Sequence, residues 1–221
     1  MKHLIVTRFA VPRQSPDTVD LYRNAEWLET RHHLFRQVFV PSVAPLGVPV
    51  ILLCAGEVAE QVGRRIADLE WARVEVQDEW HEGWTADPDT TITRLDSDDA
   101  LHRGWFDALD QAPQDAEVCI SKDFLRWDLE ADRLHNYRRR EPSPLSAFRG
   151  GKNPYTLDHK YLEQLPGIHL IRGSYLLQII HGGNVKNRRP KPWRFDRWVP
   201  RRRLADFGVT AGAAELRRGL S

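Results

Sequence analysis

The chain has 221 residues, 32 Lys and Arg against 31 Asp and Glu for a net charge of +1, and 41% hydrophobic content. That composition excludes a disordered polymer, and the near-zero charge excludes an electrostatic pull by the whole chain toward nucleic acid. Its two cysteines, Cys54 and Cys119, lie in separate apolar runs that fit neither a disulfide framework nor a metal spacing, and no run is long enough to span a membrane, so a soluble cytoplasmic protein without a leader is expected.

Residues 3–9, "HLIVTRF", predict a buried first strand. A helix is predicted over 19–40, with Trp27, Leu28, Leu34, Phe35, Val38 and Phe39 on one face and Pro41 as its end. The apolar run 49–55 predicts a second strand, and Val58, Val62, Ile66 and Leu69 a following helix. Strands are predicted at 72–77 and 90–95, and a helix at 99–110 with Leu101, Trp105, Ala108 and Leu109 inward. This alternation defines an α/β fold with a mainly parallel central sheet flanked by helices. Such sheets bind ligands beyond the carboxyl ends of their strands, which places 7–9 and 96–99 at the ligand end. The second part, 111–185, suggests two or three strands with a turn near Glu130–Asp132, then a loop-like stretch and a helix from about Asp158. Then follow a short strand and an apolar segment ending at His181. A basic tail, 186–221, closes what reads as one domain. Most of the eight tryptophans are expected in the core.

The stretch "TTITRLDSDDALHRGW" (90–105) crowds Asp96, Asp98 and Asp99 behind the fourth strand. One aspartate suffices to cap the next helix. Clustered like charges cost free energy unless a proton or cation compensates, and Mn²⁺ or Mg²⁺ typically takes one or two carboxylates plus phosphate oxygens. On these residues alone, cap and cation both remain open.

"TRLDSDDALH" (93–102), "VTRFAVP" (6–12) and "LLQIIHGGNVKNR" (176–188) together resemble the rhamnosyltransferase family, bacterial and phage glycosyltransferases of the GT-A type. The three motifs match in order and spacing, and 120–165 matches more loosely. The resemblance implies a GT-A-like fold in which 1–110 is the nucleotide-binding half and 111–185 the acceptor half. It implies Asp98 as direct metal ligand, Asp96 near the ribose or the metal's water shell, Asp99 left to cap a helix, and His181 completing the shell of Mn²⁺ or Mg²⁺. Thr7 by hydrogen bonding, Arg8 through charge and Phe9 by packing near the base would meet the nucleotide, with Arg94 and Ser97 in the same set. The implied donor is a nucleotide-diphosphate sugar, and the acceptor is a hydroxyl on a glycan, protein or nucleic acid.

The chemistry agrees with that implication. A departing nucleotide diphosphate needs positive charge, and Lys186, Arg188 and Arg189 follow His181 closely. A lone histidine after an apolar segment is commonly structural, but Gly182 and Gly183 beside it allow close backbone approach to a ligand. An inverting reaction needs a general base, for which Asp158 and then Asp123 are the candidates; Asp158 serves equally as a helix cap, and a retaining enzyme needs no such base. "RGGKNP" (149–154) lacks the strand–loop–helix context of a phosphate loop and is expected to be a mobile loop that closes over substrate. The alternative function is a nucleic-acid or anionic-polymer binding protein. It would use the tail "KNRRPKPWRFDRWVPRRR", where Trp193, Phe195 and Trp198 interleave with arginines. A tail that wraps the domain with its aromatics as anchors is the expectation preferred here.

Overall fold

The computed structural model describes residues 2–12, 20–79, 85–137, 143–155, 159–181 and 197–220. The first half builds four parallel strands: β1 (Lys2–Ala10), β2 (Val50–Cys54), β3 (Ala72–Val76) and β4 (Thr90–Arg94), in the spatial order β3-β2-β1-β4. β2 and β4 are buried along their whole length, which is why they read as continuous apolar or β-branched runs. Register places Val6 opposite Arg94 and Thr7 opposite Leu52, so the carboxyl ends of β1, β2 and β4 lie side by side.

Side chains alternate across this sheet. Ile5 and Phe9 face one layer, where α1 (Ala25–Leu34), the π-helical turn that follows it and α3 (Gly56–Arg65) contribute Leu28, Phe35, Phe39, Val58 and Val62 to the main core. Leu4, Val6, Ile51, Leu53 and Ile92 face the other layer, closed by Tyr155. Asn24 caps α1 by accepting from the Trp27 amide at 2.9 Å.

Pro41 does not end the first helix. α1 runs on through a π-helical turn, Phe35–Phe39, into α2 (Val40–Val43). Pro41 follows directly on that π-helical turn, and the helical run passes through it in spite of its missing amide proton. The stop comes at Gly47, in the left-handed region at φ 64°.

The predicted helix 99–110 is also corrected. Ala100–Leu101 form β5, and the helix, α4 (Trp105–Asp110), begins only after Gly104. Leu101 is buried either way, so apolar spacing alone could not separate the two assignments.

The second half is mixed. β6 (Val118–Asp128) and β7 (Arg133–Tyr137) form the expected hairpin, whose turn is fixed by Asp128 Oδ1 accepting from the Glu130 and Ala131 amides, each at 3.0 Å. The stretch read as loop contains β8 (Ser146–Phe148), which joins β4 to β6. The helix expected from Asp158 is a 3₁₀ segment, His159–Gln164, in the described residues. The segment read as a short strand plus an apolar run is one strand, β9 (Ile168–Ile180), parallel to β6 and antiparallel to β5.

In the tail, β10 (Arg197–Trp198) pairs with β7. Leu204, Phe207, Val209 and Leu216 then pack against Leu34, Val38, Trp127 and Ile179 in a second core. The described part of the basic tail therefore wraps the domain. Trp198 remains 66% exposed, while Trp193 and Phe195 lie outside the described residues. Cys54 and Cys119 are free and buried. No helix among the described residues is long and apolar enough to cross a membrane.

Candidate active site

The chain leaves β4 at Arg94, turns through Asp96–Asp99, with the Asp99 amide bonded to the Asp96 carbonyl at 3.1 Å, and enters β5. Because β5 pairs with β9, this acid turn lies against the end of β9, and residues some eighty positions apart meet there. Asp98 Oδ2 lies 3.2 Å from His181 Nε2, and the same oxygen accepts from Arg31 Nη1 of α1 at 2.8 Å. All three side chains are nearly buried: 4% exposed for His181, 9% for Asp98 and 12% for Arg31.

The two neighbouring aspartates meet opposite fates. Burial raises the Asp98 pKa, but the Arg31 charge and the His181 hydrogen bond outweigh it, so the carboxyl is held below the usual carboxylate range. Asp99 is pushed well above that range, first by burial and then by the charges of Asp98 and Asp96. Asp99 does not cap a helix. Its Oδ1 accepts from the Ile179 amide at 3.0 Å and so fastens the acid turn to β9.

On the other face of the sheet, Arg8 and Arg94 converge. Their guanidinium carbons lie over the Tyr155 ring, 4.2 and 4.7 Å from its centroid. The Tyr155 hydroxyl donates to the Val6 carbonyl at 3.0 Å. Burial pushes its pKa up to about 12, so the ring stays neutral beside the two cations.

Tyr155 was not a sequence candidate, and its support comes from the segment expected to be a mobile loop. That segment is tied down. Gly151 sits at φ 64°, bonded to the Thr90 carbonyl and the Ala86 amide at 3.0 Å each, and an added Cβ would collide with the Ala86 carbonyl oxygen. Arg149 donates to the Leu109 and Pro113 carbonyls at the end of α4, and Asn153 accepts from the Tyr155 amide at 2.8 Å. The only sequence signal was an aromatic residue shortly after a glycine pair.

Of the other candidates, Thr7 and Ser97 are fully buried, and their hydroxyl oxygens have no partner among the described residues. Asp96 is half-buried in the turn. Phe9 is a correction: strand alternation turns its ring away from Arg8 and into the core, edge-on to Phe35 at 5.5 Å, so it does not face a base. Asp123 is not brought to the turn either, since its β9 partner Ser174 precedes His181 by roughly 20 Å of strand. Asp158, Lys186, Arg188 and Arg189 lie outside the described residues.

Asp98 Oδ2 and His181 Nε2 are an oxygen and a nitrogen that a divalent ion accepts together. Among the described residues no three His, Cys, Asp or Glu groups form a metal cluster. One carboxylate oxygen with one imidazole nitrogen is nonetheless a donor pair of the kinds that Mn²⁺ or Mg²⁺ takes beside phosphate oxygens, so in kind the pair fits the implied metal.

No family model and no curated protein matches the sequence. Among solved structures the chain is similar to the inositol-1-phosphate CTP transferase from T. maritima, at 10% identity over 81% of this chain and 89% of that one, TM-score 0.44. It is similar to S. aureus TarS 1-349, at 11% identity over 81% of this chain and 60% of that one, TM-score 0.44. It also resembles apo mouse xyloside xylosyltransferase 1, at 14% identity over 55% of this chain and 52% of that one, TM-score 0.35.

Proposed function

We propose that the chain is a metal-dependent, GT-A-like glycosyltransferase. It moves a sugar, rhamnose by the resemblance of its motifs, from a nucleotide-diphosphate donor to an acceptor hydroxyl. The observation that carries this reading is the meeting of Asp98 and His181 at 3.2 Å beyond the carboxyl end of a parallel sheet, whose other face carries Arg8 and Arg94 over the Tyr155 ring. Parallel sheets take their ligands at that end.

In this reading Asp98 stays ionised at every working pH, because Arg31 and His181 hold its pKa low, and so keeps a permanent negative ligand in the turn. A divalent cation held by Asp98 and His181 would supply Lewis-acid stabilisation of the departing diphosphate. Arg8 and Arg94, fixed over the Tyr155 ring, add positive charge at the same end of the sheet. The Ser97 hydroxyl, buried with no partner among the described residues, is a group whose burial a ligand's polar atom would offset. For an inverting transfer the proposed base is Asp158.

The test is a thermal-shift panel of UDP, dTDP and GDP, each with Mn²⁺ and with EDTA. A ligand that binds only the folded state raises the melting temperature by mass action. One nucleotide should stabilise the chain with Mn²⁺ and not with EDTA, and Asp98→Ala should abolish the effect. Stabilisation that survives EDTA or Asp98→Ala, or that no nucleotide produces, refutes the proposal.

A further inference from the structure

Arg31 comes to the acid turn from α1, far away in sequence, and does two things there. Nη1 donates to Asp98 Oδ2 at 2.8 Å, and Nη2 reaches the Arg8 carbonyl at 3.4 Å. Its Nε is buried with no partner among the described residues. The oxygen it holds is the one that also meets His181, so the pair able to take a metal is already occupied by a guanidinium.

A divalent ion taking that oxygen and that nitrogen would face the Arg31 charge at close range in a largely buried place, where like charges repel strongly. Either the guanidinium leaves or an anion arrives to offset the excess. A diphosphate is that anion, and arginine suits its oxygens in the bidentate manner.

Resting on the metal-dependent reading above, we propose that Arg31 is a resident counter-ion for Asp98 in the metal-free chain. It makes cation entry conditional on a nucleoside diphosphate, to which its guanidinium transfers. Metal and nucleotide then bind as a coupled pair, and Arg31 carries the coupling.

The experiment titrates Mn²⁺ into the wild-type chain, Arg31→Gln, Arg31→Lys and Asp98→Asn, reading free Mn²⁺ by electron paramagnetic resonance. Each titration is run alone and with saturating UDP, dTDP or GDP. Wild type should bind Mn²⁺ at least ten-fold more tightly with one of these nucleotides than without. Arg31→Gln should bind Mn²⁺ alone at least ten-fold more tightly than wild type and lose most of the nucleotide gain. Arg31→Lys, which keeps the charge, should stay within about three-fold of wild type. If Arg31→Gln binds Mn²⁺ alone no better than wild type while Asp98→Asn abolishes binding, the role of Arg31 is wrong and the metal reading stands. If wild type binds no Mn²⁺ under any condition, the metal reading itself fails. Should Arg31→Gln not fold by circular dichroism, the wild-type titrations decide: equal Mn²⁺ affinity with and without every nucleotide overturns the proposal.

Discussion

The four parallel strands of the first half have two ends, and these are opposite in character. At the amino ends a cleft of about 690 Å³ is lined by Lys2, His3, Arg73, Glu75, Asp87 and Thr90. Its charges are largely exposed and pair in solvent, Lys2 with Asp89 at 3.1 Å and Arg73 with Glu75 at 2.8 Å. At the carboxyl ends Arg8, Arg94, Asp98 and Asp99 are all buried. Exposed pairs cost little to form and add little. Burying a charge costs several kcal/mol before its partners offset it, as a rule about effective desolvation. The more informative end is thus the one where ionisable groups are held out of water, and not the one with the open cleft.

The largest effect on the folded chain is expected from Tyr155→Leu. The substitution removes a buried ring, its hydrogen bond to Val6 and the surface on which Arg8 and Arg94 stack. Truncation of a buried aromatic side chain costs about 2–4 kcal/mol, read from a urea denaturation midpoint. Nucleotide-dependent stabilisation should fall with it, because the two guanidiniums lose their support. Tyr155→Phe should cost only about 1 kcal/mol, for the lost hydroxyl bond, and leave the nucleotide effect intact. Equal nucleotide responses in the Leu and Phe variants would mean that the stack is mere packing and would weaken the contrast between the two ends.

That residue also marks where the sequence stops being legible. β1 and β2 were readable because burial on both faces forces continuous apolar runs, and Asp98 and His181 because their motifs stand out. Arg31 and Tyr155 were not, since a helix arginine and a loop tyrosine look ordinary until the topology brings them to Asp98 and Arg8. Phe9 failed for a different reason. Neighbours in a strand point to opposite faces, so Arg8 and Phe9 could not both face one ligand. Asp99 went astray because the β5–β9 pairing that claims it is a long-range contact with no local signature.

Asp99→Asn sharpens the contrast within the carboxyl end itself. In the folded chain the Asp99 carboxyl keeps its proton well above the usual range, while in the unfolded chain it ionises near pH ~4. Over the interval between those values the unfolded state binds fewer protons, so stability falls as pH rises. Asparagine retains an oxygen for the Ile179 amide and carries no proton to lose. The variant should melt about 2–4 °C higher than wild type at pH 8, the shift that ~1 kcal/mol gives a chain of this size, and match it near pH 4. A variant less stable at pH 8 would show that Asp99 is ionised and compensated, which would make the turn a doubly charged site.

The smallest effect should come from the other end. Lys2→Ala and Arg73→Ala each remove one partner of an exposed ion pair and uncover no buried group. Surface changes of this kind move stability little, so each melting temperature should stay within about 2 °C of wild type. The nucleotide and Mn²⁺ responses should be unchanged, because the site assigned here lies a full strand length away, about 17 Å for five residues at ~3.3 Å each. This null carries weight because the amino-end cleft is open, lined by both signs of charge and the natural rival for a ligand. If either substitution abolished nucleotide-dependent stabilisation while Asp98→Ala left it intact, the roles of the two ends would be exchanged. The buried acids and arginines would then be a structural clamp joining β4, β9 and α1.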